Sequence, residues 1–172
     1  MKHLRIITFL LCAFTFLSAS NIQHPAVGEQ APDIVLPNVA GDTLRLSDLR
    51  GKFVLVNFWA SWCNSCRLEN QHYKKLYKRY KDSSFSAGEG FDIFSVSMDH
   101  DLHQWKWAII NSKINWTNHV SDGLGWKSPL AEQFDFKYLP MNLLLDKDGV
   151  VIGRNVYKHR LNAFIKERLA SQ

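Results

Sequence analysis

The chain carries two runs that are apolar on both alternating faces, FVLVNFW at residues 53–59 and FDIFSVSM at residues 91–98, and this pattern predicts two central strands covered on both sides. Between them, Leu68, His72, Leu76 and Tyr80 recur every four residues with Tyr73 and Tyr77 beside them. That spacing predicts a helix over residues 63–80 with this stripe inward. A second helix is predicted around residues 102–112, where Leu102, Trp105, Ala108, Ile109 and Ser112 share one side. Residues 141–146 and 150–153, joined through Lys147-Asp148-Gly149, predict a β-hairpin on an Asp-Gly turn, and residues 161–170 an amphipathic closing helix. Ahead of the first long strand, residues 34–37 and 43–46 predict a short hairpin, followed by a brief turn capped by Ser47. The segments 82–90 and 120–126 read as loops, and Pro129 opens a short helix to about Phe134. The expected fold class is therefore α/β: a central mixed β-sheet flanked by helices on both faces, with an N-terminal β-hairpin extension.

The first twenty residues do not fit this pattern. Met1 to Arg5 is basic, residues 6–17 are almost wholly apolar, and Ser18-Ala19-Ser20 offers small residues for cleavage, which together predict a secretory signal peptide. The apolar run is short of the ~20 residues that span a bilayer. The expected organisation is a signal peptide at 1–20 and one domain at 21–172, exported to the periplasm and held at the membrane only if the signal stays uncleaved. Cys12 lies mid-run without the small preceding residue of a lipidation site. Removing 1–20 takes Lys2 and Arg5 and no acid, so the formal charge falls from +5 to +3, with 19 Lys and Arg against 16 Asp and Glu. No basic stripe with interleaved aromatics remains, since the Lys and Arg of residues 74–81 fall on the outer face and C-terminal end of a predicted helix. Nucleic acid is not an expected partner.

Composition is that of an ordinary globular domain, 46% hydrophobic, so no disulfide staple is required for folding. The two cysteines left after cleavage, Cys63 and Cys66, stand at the end of the first central strand where the first long helix begins. A CxxC pair there can close to a disulfide or open to a dithiol, a complete redox chemistry that needs no cofactor. The unpaired N–H groups of a helix start favour a thiolate on Cys63, and Cys66, one turn on, is placed to resolve a mixed disulfide. A zinc site would want about four ligands, and neither a second Cys pair nor a ligand spacing at His72 and His119 supplies them. A c-type haem would need His after Cys66, where Arg67 stands.

With these residues in place the sequence resembles the thioredoxin-like proteins of the TlpA/ResA type, in the exported form common in Bacteroidetes. The resemblance is carried by Gly28-Glu29-Gln30-Ala31-Pro32-Asp33, by residues 46–52, by residues 54–63 with Cys66, by Val120-Ser121-Asp122 with Trp126, and by Leu139-Pro140 ahead of Leu143-Leu144-Leu145-Asp146. It implies a thioredoxin-like fold with Pro140 in the cis form beside the disulfide and Leu139 offering its backbone to an incoming peptide. It implies a proton acceptor for Cys66 at Glu69, because Asn57 stands where ordinary thioredoxins bury an aspartate. Trp62 is expected as a shield and docking residue and Trp59 as core, while Trp105, Trp107, Trp116 and Trp126 are expected to pack. Asn64-Ser65 departs from the family, which usually has proline before the second cysteine, and this dipeptide bears on the redox potential.

The implied function is a periplasmic thiol-disulfide oxidoreductase that reduces protein disulfides, for instance in cytochrome c maturation, with electrons from a membrane donor of the DsbD type. Two alternatives are a peroxiredoxin-like peroxidase and a non-catalytic binding module. The first wants Pro and Thr ahead of the attacking cysteine, and residues 57–62 contain neither.

Overall fold

The computed structural model describes residues 24–86 and 88–169, so the expected signal segment and Cys12 lie outside the described residues. The chain runs β1 (Val35–Pro37), β2 (Thr43–Arg45), a 3-10 turn (Leu46–Leu49), β3 (Phe53–Trp59), α1 (Asn64–Tyr80), β4 (Ser84–Phe85), β5 (Gly88–Glu89) and β6 (Phe91–Ser97). It continues through α2 (Leu102–Asn111), β7 (Asn118–Ser121), a 3-10 turn (Gly125–Lys127), α3 (Leu130–Gln133), β8 (Met141–Leu145), β9 (Val151–Arg154) and α4 (Lys158–Lys166). Five strands form the central sheet in the order β7-β6-β3-β8-β9. β6 and β7 run parallel to β3, whereas β8 and β9 join by the Asp-Gly hairpin and add an antiparallel edge. The fold is the thioredoxin-like one expected, with the β1-β2 hairpin as its N-terminal addition.

Alternation across β3 divides the core. Phe53 and Leu55 face α1 and α4, packing with Tyr73, Leu76, Leu161 and Ile165, while Val54, Val56 and Phe58 face the other side, covered by Ile34, Leu46, Leu130 and Phe134. All seven β3 residues are buried, which explains why the run carries no polar alternation. Its single amide, Asn57, is half-satisfied inside: its Nδ2 donates to Asn70 Oδ1 of α1 at 3.0 Å, while Asn57 Oδ1 has no partner among the described residues.

Several local expectations are corrected. β7 is a strand where a loop was expected from Val120, because its backbone pairs with β6 from Phe94↔Asn118 to Ser97↔Ser121; four residues give too little pattern to read alone. The segment 82–90 contains the two-residue pairing of β4 with β5. Ser47 lies inside its 3-10 turn, and the capping carboxylate is Asp33, which accepts from Ser47 N at 2.9 Å and Ser47 Oγ at 2.8 Å. α4 begins at Lys158, three residues before the first apolar position. The buried stripe of α1 is Cys66, Glu69, Asn70, Tyr73, Leu76 and Tyr80, and Leu68 is exposed, because the helix turns two polar residues inward at its cysteine end. Leu102 is likewise exposed, as is Trp107, which was expected to pack; Trp105 and Trp116 do pack, and Trp126, though partly exposed, sets its ring against Phe136.

His119, on β7, stacks on Trp116 and is buried, its Nε2 3.0 Å from the Trp116 carbonyl. Burial drives its pKa from 6.5 down to about 4, only partly opposed by that backbone contact. Between those two values the unfolded chain binds a proton that the native state refuses, so stability falls as pH drops from 6.5 toward 4. The expected loss across that window is roughly 3 kcal/mol, and His119→Gln should flatten it; urea unfolding at pH 7 and pH 4.5 measures both.

Candidate active site

The site is built where β3 ends and α1 begins. Cys63 is the N-cap of α1, and its Sγ accepts from the Cys66 N–H at 3.1 Å. A sulfur in that position takes one of the helix's orphan amide protons, which is the physical basis for stabilising a thiolate there. Ser65 Oγ lies 3.4 Å from the same sulfur, so its hydroxyl offers a second donor. Asn64 Oδ1 accepts from the Arg67 guanidinium, closing the first turn over itself. Cys63 and Cys66 are joined by a disulfide with an S–S distance of 2.01 Å. Cys66 is 1% exposed and Cys63 7%, so an incoming group meets Cys63 first.

The second half of the site comes from 74 residues further on. The Leu139-Pro140 peptide bond is cis, and Leu139 packs against the cluster formed by Cys63, Cys66, Trp59, Ala60, Trp105 and Ala108. Both halves are held from outside. On the cysteine side, Asp99 is buried and its carboxylate accepts from Ser61 N at 2.9 Å, Ser61 Oγ at 2.6 Å and Ser97 Oγ at 2.7 Å, tying the β3-α1 turn to the end of β6. On the proline side, the Tyr157 hydroxyl donates to the Pro140 carbonyl at 2.8 Å. Burial, and after it Tyr138, pushes the Tyr157 pKa up to about 12, so the phenol keeps its proton.

Glu69 follows Cys66 by three residues on the inward face of α1. It is 6% exposed, and its Oε2 has no hydrogen-bond partner among the described residues. Tyr73, four residues on along the same buried face, has its pKa driven well up by burial first and the charge of Glu69 second, so the phenol keeps its proton. The Tyr73 hydroxyl in turn accepts from Asn142 Nδ2 at 3.2 Å, just after the cis-proline. Glu69 opens onto a groove of ≈ 500 Å³ with Leu139, Pro140 and Tyr157 in its wall. On the other flank Trp62, 58% exposed, and Trp107 border a second groove of ≈ 450 Å³.

Cys63, Cys66, Ser65, Leu139, Pro140 and Glu69 are thus brought to one end of the sheet, and Trp62 stands exposed beside them. Asn64 is exposed, and its side-chain oxygen accepts from Arg67. Sequence reading missed Asp99, Tyr157 and Asn142. Asp99 was legible only as an acid ahead of α2, and the order Ser61-Cys63 against Ser97-Asp99 becomes a contact through the parallel pairing of β3 with β6.

A disulfide at a helix start, a cis Leu139-Pro140 bond whose Leu139 packs on the cysteine cluster, and a mixed sheet beneath define a thioredoxin-like thiol-disulfide oxidoreductase. Residues 27–158 match the AhpC/TSA family, to which this chain belongs. It is similar to the thiol-disulfide oxidoreductase ResA of Geobacillus kaustophilus, 42% identical over 127 residues that cover 73% of this chain and 67% of that protein. It is also similar to ResA of Bacillus cereus, 25% identical over 170 residues that cover 94% of this chain and 92% of the other. Among solved structures, the thiol-disulfide oxidoreductase of Bacteroides fragilis matches with a TM-score of 0.72 and 33% identity, covering 81% of this chain and 98% of that one. The thioredoxin domain of a Bacteroides vulgatus thiol-disulfide oxidoreductase matches with a TM-score of 0.74 and 30% identity, covering 83% and 96%. Among the described residues no helix is long and apolar enough to cross a membrane.

Proposed function

We propose that this protein is an exported reductant of disulfides in other proteins, with residues 1–20 as its signal peptide and residues 21–172 as the working domain. The observation that carries the reading is a buried Glu69 one turn beyond Cys66, its Oε2 without a hydrogen-bond partner among the described residues, on the groove lined by Leu139 and Pro140. In the reduced protein, the Cys63 thiolate attacks a partner disulfide, forming a mixed disulfide and expelling one partner thiolate. Glu69 takes the proton of Cys66, whose thiolate then attacks the Cys63 sulfur, closing Cys63–Cys66 and releasing the second partner thiol. The partner is reduced by two electrons and the protein is oxidised by two.

Leu139 would present its backbone to the partner's extended segment and Trp62 its exposed ring, with Asn64 and Ser65 shaping the approach to Cys63. Recharging the site calls for a membrane thiol donor of the DsbD type, and exported apocytochromes c, whose paired cysteines must stay reduced, are a fitting substrate. No bound cofactor takes part. Two measurements test this. The Cys63–Cys66 potential in glutathione or dithiothreitol buffers is expected near that of thioredoxin, about −270 mV, and a value near the −120 mV of strong oxidants would reverse the direction of flow. Glu69→Gln is expected to slow release of the mixed disulfide about 10²-fold while leaving its formation unaffected; equal slowing of both steps would remove Glu69 from the proton transfer.

A further inference from the structure

The groove beside the cis-proline has an unusual charge arrangement. Its floor is apolar, made by Leu68, Tyr138, Leu139 and Pro140, and both Leu68 and Tyr138 are strongly exposed. Its outer wall is Lys158, His159 and Arg160, three consecutive exposed residues. These are the first residues of α4, a position where the helix dipole and unpaired N–H groups already favour negative charge and disfavour cations. The helix has no acidic residue in its first turn and no side-chain cap. Among the described residues neither Lys158 nor Arg160 forms an ion pair, and the only acid lining the groove is Glu69, buried at the cysteine end with an unpartnered oxygen. Cations stacked on the positive end of a helix, without internal compensation, lower the stability of the free protein and favour an anionic occupant.

We propose that the groove selects polypeptide segments in which acidic side chains flank the disulfide cysteine, the apolar floor taking the extended chain and Lys158, His159 and Arg160 the carboxylates. The proposal rests on the thiol-disulfide reading of the site and names its substrate class. A protein segment fits better than an anionic membrane surface because Lys158, His159 and Arg160 share their groove with Ser65, whose Oγ lies 3.4 Å from Cys63 Sγ, and with Leu139, which packs on the cysteine cluster, so a chain bound there leads to the disulfide, whereas a bilayer gains nothing from that end of the groove.

The test uses the dithiothreitol-reduced protein and synthetic peptides closed by one disulfide, identical except for Asp, Asn or Lys on both sides of each cysteine. Single-turnover reduction of the Asp peptide is expected to be ~10-fold faster than that of the Lys peptide at low salt, with Asn between, and the gap to close as ionic strength rises to about 0.5 M. Lys158→Glu with Arg160→Glu should invert the order, and Lys158→Gln with Arg160→Gln should narrow the gap. Equal rates, a ratio insensitive to salt, or an order unchanged in both variants would overturn the proposal, as would tighter binding to anionic lipid vesicles than to the Asp peptide. The uncharged bis-hydroxyethyl disulfide separates the two readings: its reduction without any peptide preference defeats only the charge selection, whereas failure on every disulfide defeats the oxidoreductase reading and this inference with it.

Discussion

Cys66→Ser is expected to accumulate mixed disulfides on Cys63 and to lose turnover by on the order of 10³-fold or more, because attack can still occur while resolution cannot. The asymmetry follows from the geometry. Cys63 is the less buried sulfur and the one that accepts the Cys66 N–H, with Ser65 as a second donor, whereas Cys66 is 1% exposed and lies on the inward face of α1 beside Glu69. The trapped species should appear as higher-mass bands on non-reducing gels that vanish with dithiothreitol. Cys63→Ser should abolish turnover without trapping partners. Equal trapping by both variants would contradict the assigned order of attack, and a Cys63→Ser protein that still served its cellular role would favour a non-catalytic binding module.

The second large effect concerns what holds the sulfurs in place. Trp59 is fully buried at the end of β3 and packs with Cys63, Cys66, Trp105 and Ala108. Trp59→Ala would leave a cavity under the disulfide that the sheet above and α2 beside it cannot fill, at an expected cost of about 3–5 kcal/mol. Trp59→Phe should cost less, since it keeps an aromatic ring and removes an indole N–H that finds no acceptor among the described residues. Urea unfolding reads both as a drop in midpoint at unchanged slope. A loss below about 1 kcal/mol for Trp59→Ala would mean that the cluster around the disulfide is loosely packed.

How much of the site could be read in advance depended on the range of the contact. The cysteines and their place at the start of α1 are local consequences of a strand that ends where a helix begins, whereas the role of Glu69 was implied only by resemblance. The pairing of Cys66 with Leu139-Pro140 was implied only by resemblance, and the structure brings them into one cluster because β8 lies antiparallel to β3, from Val54↔Leu145 to Phe58↔Met141. The same registry puts Asn57 opposite Asn142, two buried amides in neighbouring strands. Asn57 bonds to Asn70, while Asn142 bonds to Tyr73 and Val156. Apolar periodicity carries no trace of such a network, because its members are polar residues whose partners lie on other elements. It also placed the inward stripe of α1 one position away from Glu69 and Asn70 and left Leu68 inside, for the same reason.

Sequence alone determined the elements with strong local pattern: the doubly apolar strands, the long helix with its CxxC start, and the Asp-Gly hairpin. Each is set by alternation, capping and turn chemistry within a few residues. Tertiary structure decided the rest. It made a strand of Asn118–Ser121 by supplying β6 as a partner, packed Leu139 of the cis Leu139-Pro140 bond on the cysteine cluster, buried Asp99 as the tie across the β3-α1 turn, and gathered Lys158, His159 and Arg160 along the groove that Leu139 and Pro140 line. These depend on strand order and helix placement, which fix the meeting of residues far apart in the chain. The disulfide itself is therefore written near Cys63 and Cys66, and the surface around it is built by residues brought to them from a distance.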